Sequence, residues 1–163
     1  LNANDLLLWT DDLSVRTQEV DAQHKGLFDL INRLHVVIRE NHGSEPTREI
    51  LDQLAESIQD HFLFEESLMR LTHYAGYAAH KDQHEALMEK LRTLQDSLDN
   101  GSITMTVDLM HFHKTWWNEH IRNSDRHFSI HYENSELVHG TKTDRDSERS
   151  EWSAQEKHWW KFW

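Results

Sequence analysis

Apolar residues recur at three- and four-residue steps along most of the chain, the period of helices that bury one face. Leu27, Phe28, Ile31, Leu34 and Ile38, with His24 on the same stripe, predict a helix from about Val20 to about Asn41, and Gly43 is its natural stop. Ser44-Glu45-Pro46 then supplies a capping residue and an early-turn proline for a second helix. Its inward stripe, Leu51, Leu54, Ile58, His61, Glu65 and Leu68, has the 3,4,3,4,3 spacing of a bundle seam. After a break at Thr72 to Gly76, a third helix shows Tyr77, His80, His84, Leu87, Leu91, Leu94 and Leu98, and Asn100-Gly101 ends it. A fourth begins near Thr104 or Thr106 and runs to about Tyr132, with Leu109, Phe112, Trp116, His120 and either Ser124 or Asp125 turned inward.

Four helices of roughly 20 residues or more with short connections predict an all-α fold, an up-down-up-down antiparallel four-helix bundle over 1–133. A C-terminal extension, 134–163, follows. Gly140 to Ser150 is polar and of mixed charge and reads as a linker. Trp152, Trp159, Trp160 and Trp163 beyond it stand at i, i+7, i+8 and i+11, one face of a short amphipathic helix. Such a stripe either folds back onto the bundle or docks on a protein partner, a second copy or a lipid interface.

Composition narrows the chemistry. The 163 residues carry Lys+Arg 17 against Asp+Glu 29, a formal charge of −12, with one proline and five glycines. The negative surplus repels phosphate backbones, and no basic cluster offsets it, so nucleic-acid binding is not expected. No apolar run approaches the ~20 residues of a membrane span. Leu1 to Trp9 is too short, and lacks the basic residues, for a signal peptide, so a soluble cytoplasmic protein is the expectation. Cysteine is absent, which removes disulfides, zinc-thiolate sites and thiol nucleophiles. Any metal must be held by carboxylates and the 14 histidines.

Those residues lie on the apolar stripes of all four helices, at matching heights when the helices run antiparallel. A bundle core refuses ionisable groups unless they share a partner, because burying one alone costs several kcal/mol. A metal is the economical partner. His61 and Glu65, and His80 and His84, are i,i+4 pairs that place two donors on one helix face. With His24, His120 and Asp125 the set is five imidazoles and two carboxylates, more than one ion accepts while keeping a position open. Two metal ions bridged by carboxylates fit that count. His113, seven residues before His120, lies on the same seam and is a candidate supporting group, whereas Glu66 points about 100° away from Glu65 and is a surface or supporting carboxylate. Asp21 suits the start of the first helix. His131 is among the histidines without a partner pattern and is expected to be solvated.

Five stretches carry a resemblance: Trp9-Thr10-Asp11-Asp12-Leu13-Ser14-Val15; Val20-Asp21-Ala22-Gln23-His24 with Leu27 and Phe28; His61-Phe62-Leu63-Phe64-Glu65-Glu66-Ser67-Leu68-Met69; His80-Lys81-Asp82-Gln83-His84; and Trp116-Trp117-Asn118-Glu119-His120-Ile121-Arg122-Asn123-Ser124-Asp125. From Trp9 to Tyr132 the chain resembles the hemerythrins, most closely their bacterial branch. The resemblance implies a non-heme di-iron protein, not an enzyme, that binds dioxygen reversibly as hydroperoxide for storage, transport or scavenging. It implies that His80, His84 and His120 bind one iron and His24 and His61 the other. Glu65, Asp125 and an oxo or hydroxo group would bridge the two. The two-histidine iron would keep an open position, with Phe28, Phe62, Trp116, Trp117 and Ile121 lining the oxygen pocket. Two positions depart from the family: Trp117 stands where leucine is common and narrows the ligand entrance, and Tyr74-Ala75 replaces the usual Tyr-Pro.

Ligand type favours binding over oxidation. Ferritin-like di-iron sites use four Glu and two His, whose anionic donors stabilise highly oxidised iron. Five neutral imidazoles with two carboxylates donate less charge. Two other functions remain open at this point: an oxygen- or redox-sensing module signalling through the C-terminal extension, and a di-iron enzyme acting on peroxide or nitric oxide.

Overall fold

The computed structural model describes residues 6–100, 107–135 and 138. The tryptophan stripe of the extension lies outside them. Helix α1 spans Gln18–Arg39, α2 Ser44–Leu71, α3 Tyr77–Asp99 and α4 Val107–His120. A π-helical segment, Ile121–Asp125, follows α4 and leads into α5, Arg126–Glu133. Backbone angles at His120 and Arg126 stay right-handed helical, so α4, the π segment and α5 form one uninterrupted helical path, the fourth rod of a four-helix bundle.

The seams close as the spacing predicts. Ile31, Leu34, Leu51, Leu54, Ile58, Leu87 and Leu91 are wholly shielded from solvent in one core. Each contributes roughly 1.5–3 kcal/mol by leaving water. At the end of α2 the buried position is Met69, while Leu68 is only half-buried. None of the described helices is long and apolar enough to cross a membrane.

The turns differ from expectation in one respect. Ser44 does not cap α2: it is the first helical residue, and the capping position is Gly43, whose φ of 96° is a left-handed conformation that glycine adopts without strain. Thr47 Oγ1 donates to Gly43 O at 2.7 Å instead. Between α2 and α3 the Tyr74 ring lies over Gly76, where an added Cβ would approach it to 2.7 Å.

Before α1, the chain is strapped to the bundle. Leu7, Leu13 and Val15 are buried, and Asn32 clasps both polar groups of the Leu7 backbone, at 2.9 and 2.8 Å. Asp21, in the first turn of α1, accepts from Ser14 Oγ at 2.6 Å and from Val15 N–H at 2.9 Å. Its carboxylate thus orients the incoming strap as well as complementing the helix N-terminus.

Candidate metal centre

Each helix delivers polar side chains to one layer of the core: His24 from α1, His61 and Glu65 from α2, His80 and His84 from α3, and His120 with Asp125 from the fourth rod. All seven are at most 3% exposed. From His120, regular α geometry would turn Ser124 inward. The π segment has more than four residues per turn and hands that place to the fifth residue on, Asp125, which is fully buried. Ser124 is turned aside to donate its hydroxyl to Gln83 Oε1 at 2.7 Å. The sequence ambiguity between the two is thereby resolved by backbone geometry.

The donors form two groups that share one carboxylate. Glu65, His80, His84, His120 and Asp125 offer donor atoms all within 4.8 Å of one another, and so do His24, His61 and Asp125. Asp125 faces both: its Oδ2 lies 3.3 Å from His24 Nε2, and its Oδ1 lies 3.1 Å from His80 Nε2 and 3.0 Å from His120 Nε2. Glu65 Oε2 sits 3.4 Å from His80 Nε2 and 3.6 Å from His84 Nε2, on the three-histidine side.

What the histidines do with their far nitrogens decides the chemistry. His61 Nδ1–H donates to Gln23 Oε1 at 2.9 Å, His84 Nδ1–H to Glu66 Oε1 at 3.1 Å and His120 Nδ1–H to Gln83 Oε1 at 3.0 Å. A neutral imidazole bonded in this way presents a bare lone pair at Nε2. Yet His84 Nε2 and His120 Nε2 lie 3.1 Å apart, and His24 Nε2 is 3.2 Å from His61 Nε2. Lone pairs gathered at such distances, beside Glu65 Oε2 and both Asp125 oxygens, which have no hydrogen-bond partner, repel one another unless a cation sits between them. The residues therefore fit a metal cluster.

In the metal-free chain, protons serve instead. Burial opposes charge on His80, but the Asp125 and Glu65 carboxylates facing its Nε2 outweigh it and hold the ring up at about 9. Burial, reinforced by the charges of His80 and His120, pushes His84 down to about 2, and burial next to His24 holds His61 well below its ordinary value. Glu65 is raised by burial and by the Asp125 charge. Burial would also raise Asp125, but His120 prevails and holds it well below the carboxylate range.

The expected pocket residues divide between the two ends. Trp117, fully buried, has its ring centroid 6.2 Å from that of His24 and 6.1 Å from that of His61. Phe62 stacks on His84 at 3.7 Å and also lies 5.6 Å from His61. Trp116, half-buried, stacks on His120 at 4.3 Å, so it covers the three-histidine side. Phe28 packs edge-on against Trp9 at 6.0 Å, and Ile121 is buried in the same core.

Four supporting residues were not legible in the sequence, or only in part. Gln23 and Gln83 each precede a histidine, and each holds a histidine of another helix; the repeated Gln-His dipeptide was the available signal. Trp9 closes the His24 end from outside, its ring 6.3 Å from that of His24 and under Lys25 Nζ. Glu66 takes the supporting role on His84. His113 is buried, and His131, expected in solvent, instead donates to Thr72 O at 2.8 Å, tying α5 to the end of α2.

Known proteins resemble this chain in sequence and in fold. The Hemerythrin HHE cation binding domain profile matches residues 15–129. A bacteriohemerythrin of Methylococcus capsulatus is 32% identical over 122 residues, 74% of this chain and 92% of its own. The myohemerythrin of Theromyzon tessulatum is 29% identical over 117 residues, covering 72% and 86% of the two chains. A crystal structure of wild-type hemerythrin superposes with a TM-score of 0.74 at 29% identity, over 78% of this chain and 98% of that one. A profile match over most of the chain, joined to a bundle with a histidine and carboxylate cluster suited to two irons, places the chain in the hemerythrin family.

Proposed function

We propose that the chain holds two iron ions and binds dioxygen reversibly, as a carrier or store and not as a catalyst. In this reading His80, His84 and His120 hold one iron, His24 and His61 the other, and Asp125 and Glu65 bridge them together with a solvent-derived oxygen. The observation that carries it is Asp125, whose two oxygens face two separate histidine groups. Iron so held would supply the electrons needed for reversible dioxygen binding.

The protein's part is to keep that exchange reversible. Gln23, Glu66 and Gln83 fix three imidazoles with their Nε2 atoms turned inward, which sets tautomer and orientation. Five neutral donors and two carboxylates leave the site with too little anionic charge to favour highly oxidised iron. Trp117, Phe62 and Ile121 exclude water from the two-histidine end, which slows irreversible oxidation. The lower donor number at His24 and His61 leaves that end the room for a ligand.

The test is iron analysis followed by anaerobic reduction and air exposure under optical absorption. About two irons per chain and a visible band that appears with oxygen and fades on its removal are expected. One iron, or oxidation with no reversible band, overturns the reading.

A further inference from the structure

Among the described residues Trp117 is the largest fully buried side chain, and its indole N–H has no hydrogen-bond acceptor. A native core seldom keeps a buried donor unsatisfied unless the site uses it. Its ring stands against the His24–His61 end, at 65° to the one and 48° to the other. Phe62 at 6.2 Å and Trp116 at 5.0 Å are its further ring neighbours, and Phe62 offers it no acceptor atom. Nor does His61 compete for it once its Nε2 holds iron, since the other ring nitrogen, Nδ1–H, is itself a donor, to Gln23.

We propose that Trp117 Nε1–H is the hydrogen-bond donor to the exogenous ligand at the two-histidine end, and that it selects small ligands ending in an anionic or lone-pair-rich atom. The inference rests on the two-iron reading above. Indole is a donor only, so it supports an acceptor terminus and offers nothing to a ligand whose terminus is itself a donor. Bulk and hydrogen bonding act in opposite directions here. A plug weakens ligand binding, so trimming it strengthens affinity; a donor strengthens binding, so removing it weakens affinity.

Azide is the probe. Native protein and Trp117→Phe, which keeps an aromatic ring and deletes the N–H, are loaded with ferric iron, assayed for metal and titrated with azide by optical absorption. The variant is expected to keep two irons and bind azide roughly tenfold or more weakly, the effect of a hydrogen bond to a charged acceptor. In the native protein, equilibrated in D2O before loading, the infrared stretch of bound azide is expected to shift relative to H2O, and in Trp117→Phe it is not. Two irons in both proteins with equal or tighter azide binding in the variant overturns this inference alone, whereas native protein without two irons overturns the two-iron reading and this with it. If the variant fails to fold, the isotope shift in native protein decides, and its absence overturns the proposal.

Discussion

Buried imidazoles in this bundle are controlled through the nitrogen that faces away from the cluster. Gln83 Oε1 accepts from both His120 Nδ1–H and Ser124 Oγ, so one side chain orients a ring and holds the hydroxyl that lies one residue before Asp125. Gln83→Ala is expected to weaken metal affinity roughly 10- to 100-fold, measured by chelator competition, while Gln83→Glu, which keeps an acceptor, retains most of it. His113 shows the cost of burying a histidine in the same helix. Burial pushes it down to about 4 from an ordinary 6.5, with the Lys90 charge adding to the effect. The unfolded chain therefore binds the proton first. The contribution to stability is whole above pH 6.5, falls as pH drops towards 4, and amounts to about 3 kcal/mol across that window. His113→Phe should flatten this part of the stability–pH curve measured by denaturant unfolding; an unchanged slope would show that His113 takes up no proton differently on folding.

At the level of the element, the decisive feature is five residues of π helix. A regular helix from His120 would aim a hydroxyl, Ser124, at the cluster; the wider turn aims a carboxylate. Composition around the site is thus insufficient: position along the backbone is what matters. Exchanging the two side chains in the double variant Ser124→Asp, Asp125→Ser is expected to lose at least one iron per chain by metal analysis, although the local composition is identical. Full iron content would mean that the segment can relax to α geometry at little cost.

Across the whole molecule, the donor layer sits where all the helices meet, so the metal reading makes iron a fifth structural element. Without it, repelling lone pairs and bare carboxylate oxygens occupy the middle of the core. Chelation is expected to lower thermal stability, by about 2.7 kcal/mol where free iron stood at 100 times its dissociation constant. Paired melting curves with and without chelator check this. Access is uneven. A groove of about 490 Å³ between α2 and α3 reaches Glu66 and His84, and a smaller one of about 290 Å³ between α1 and α2 reaches Gln23 and His61, while Trp117 is buried against the His24–His61 pair and Trp9 stands outside His24.

The helices, their antiparallel order and the gathering of His24, His61, Glu65, His80, His84 and His120 on inward stripes were legible in the sequence, because burial obeys a period that a linear chain displays. The choice between Ser124 and Asp125 was not, for periodicity assumes α geometry and the residues here follow a π turn. Nor were the partners of Gln23, Gln83 and Glu66, which lie on other helices 38, 37 and 18 residues away and meet only when the bundle closes. Sequence alone determined which residue types face inward. Tertiary structure decided which nitrogen each imidazole presents, which carboxylate faces both histidine groups and where the Trp117 N–H is left without an acceptor, because each depends on atoms that only packing brings within hydrogen-bond reach.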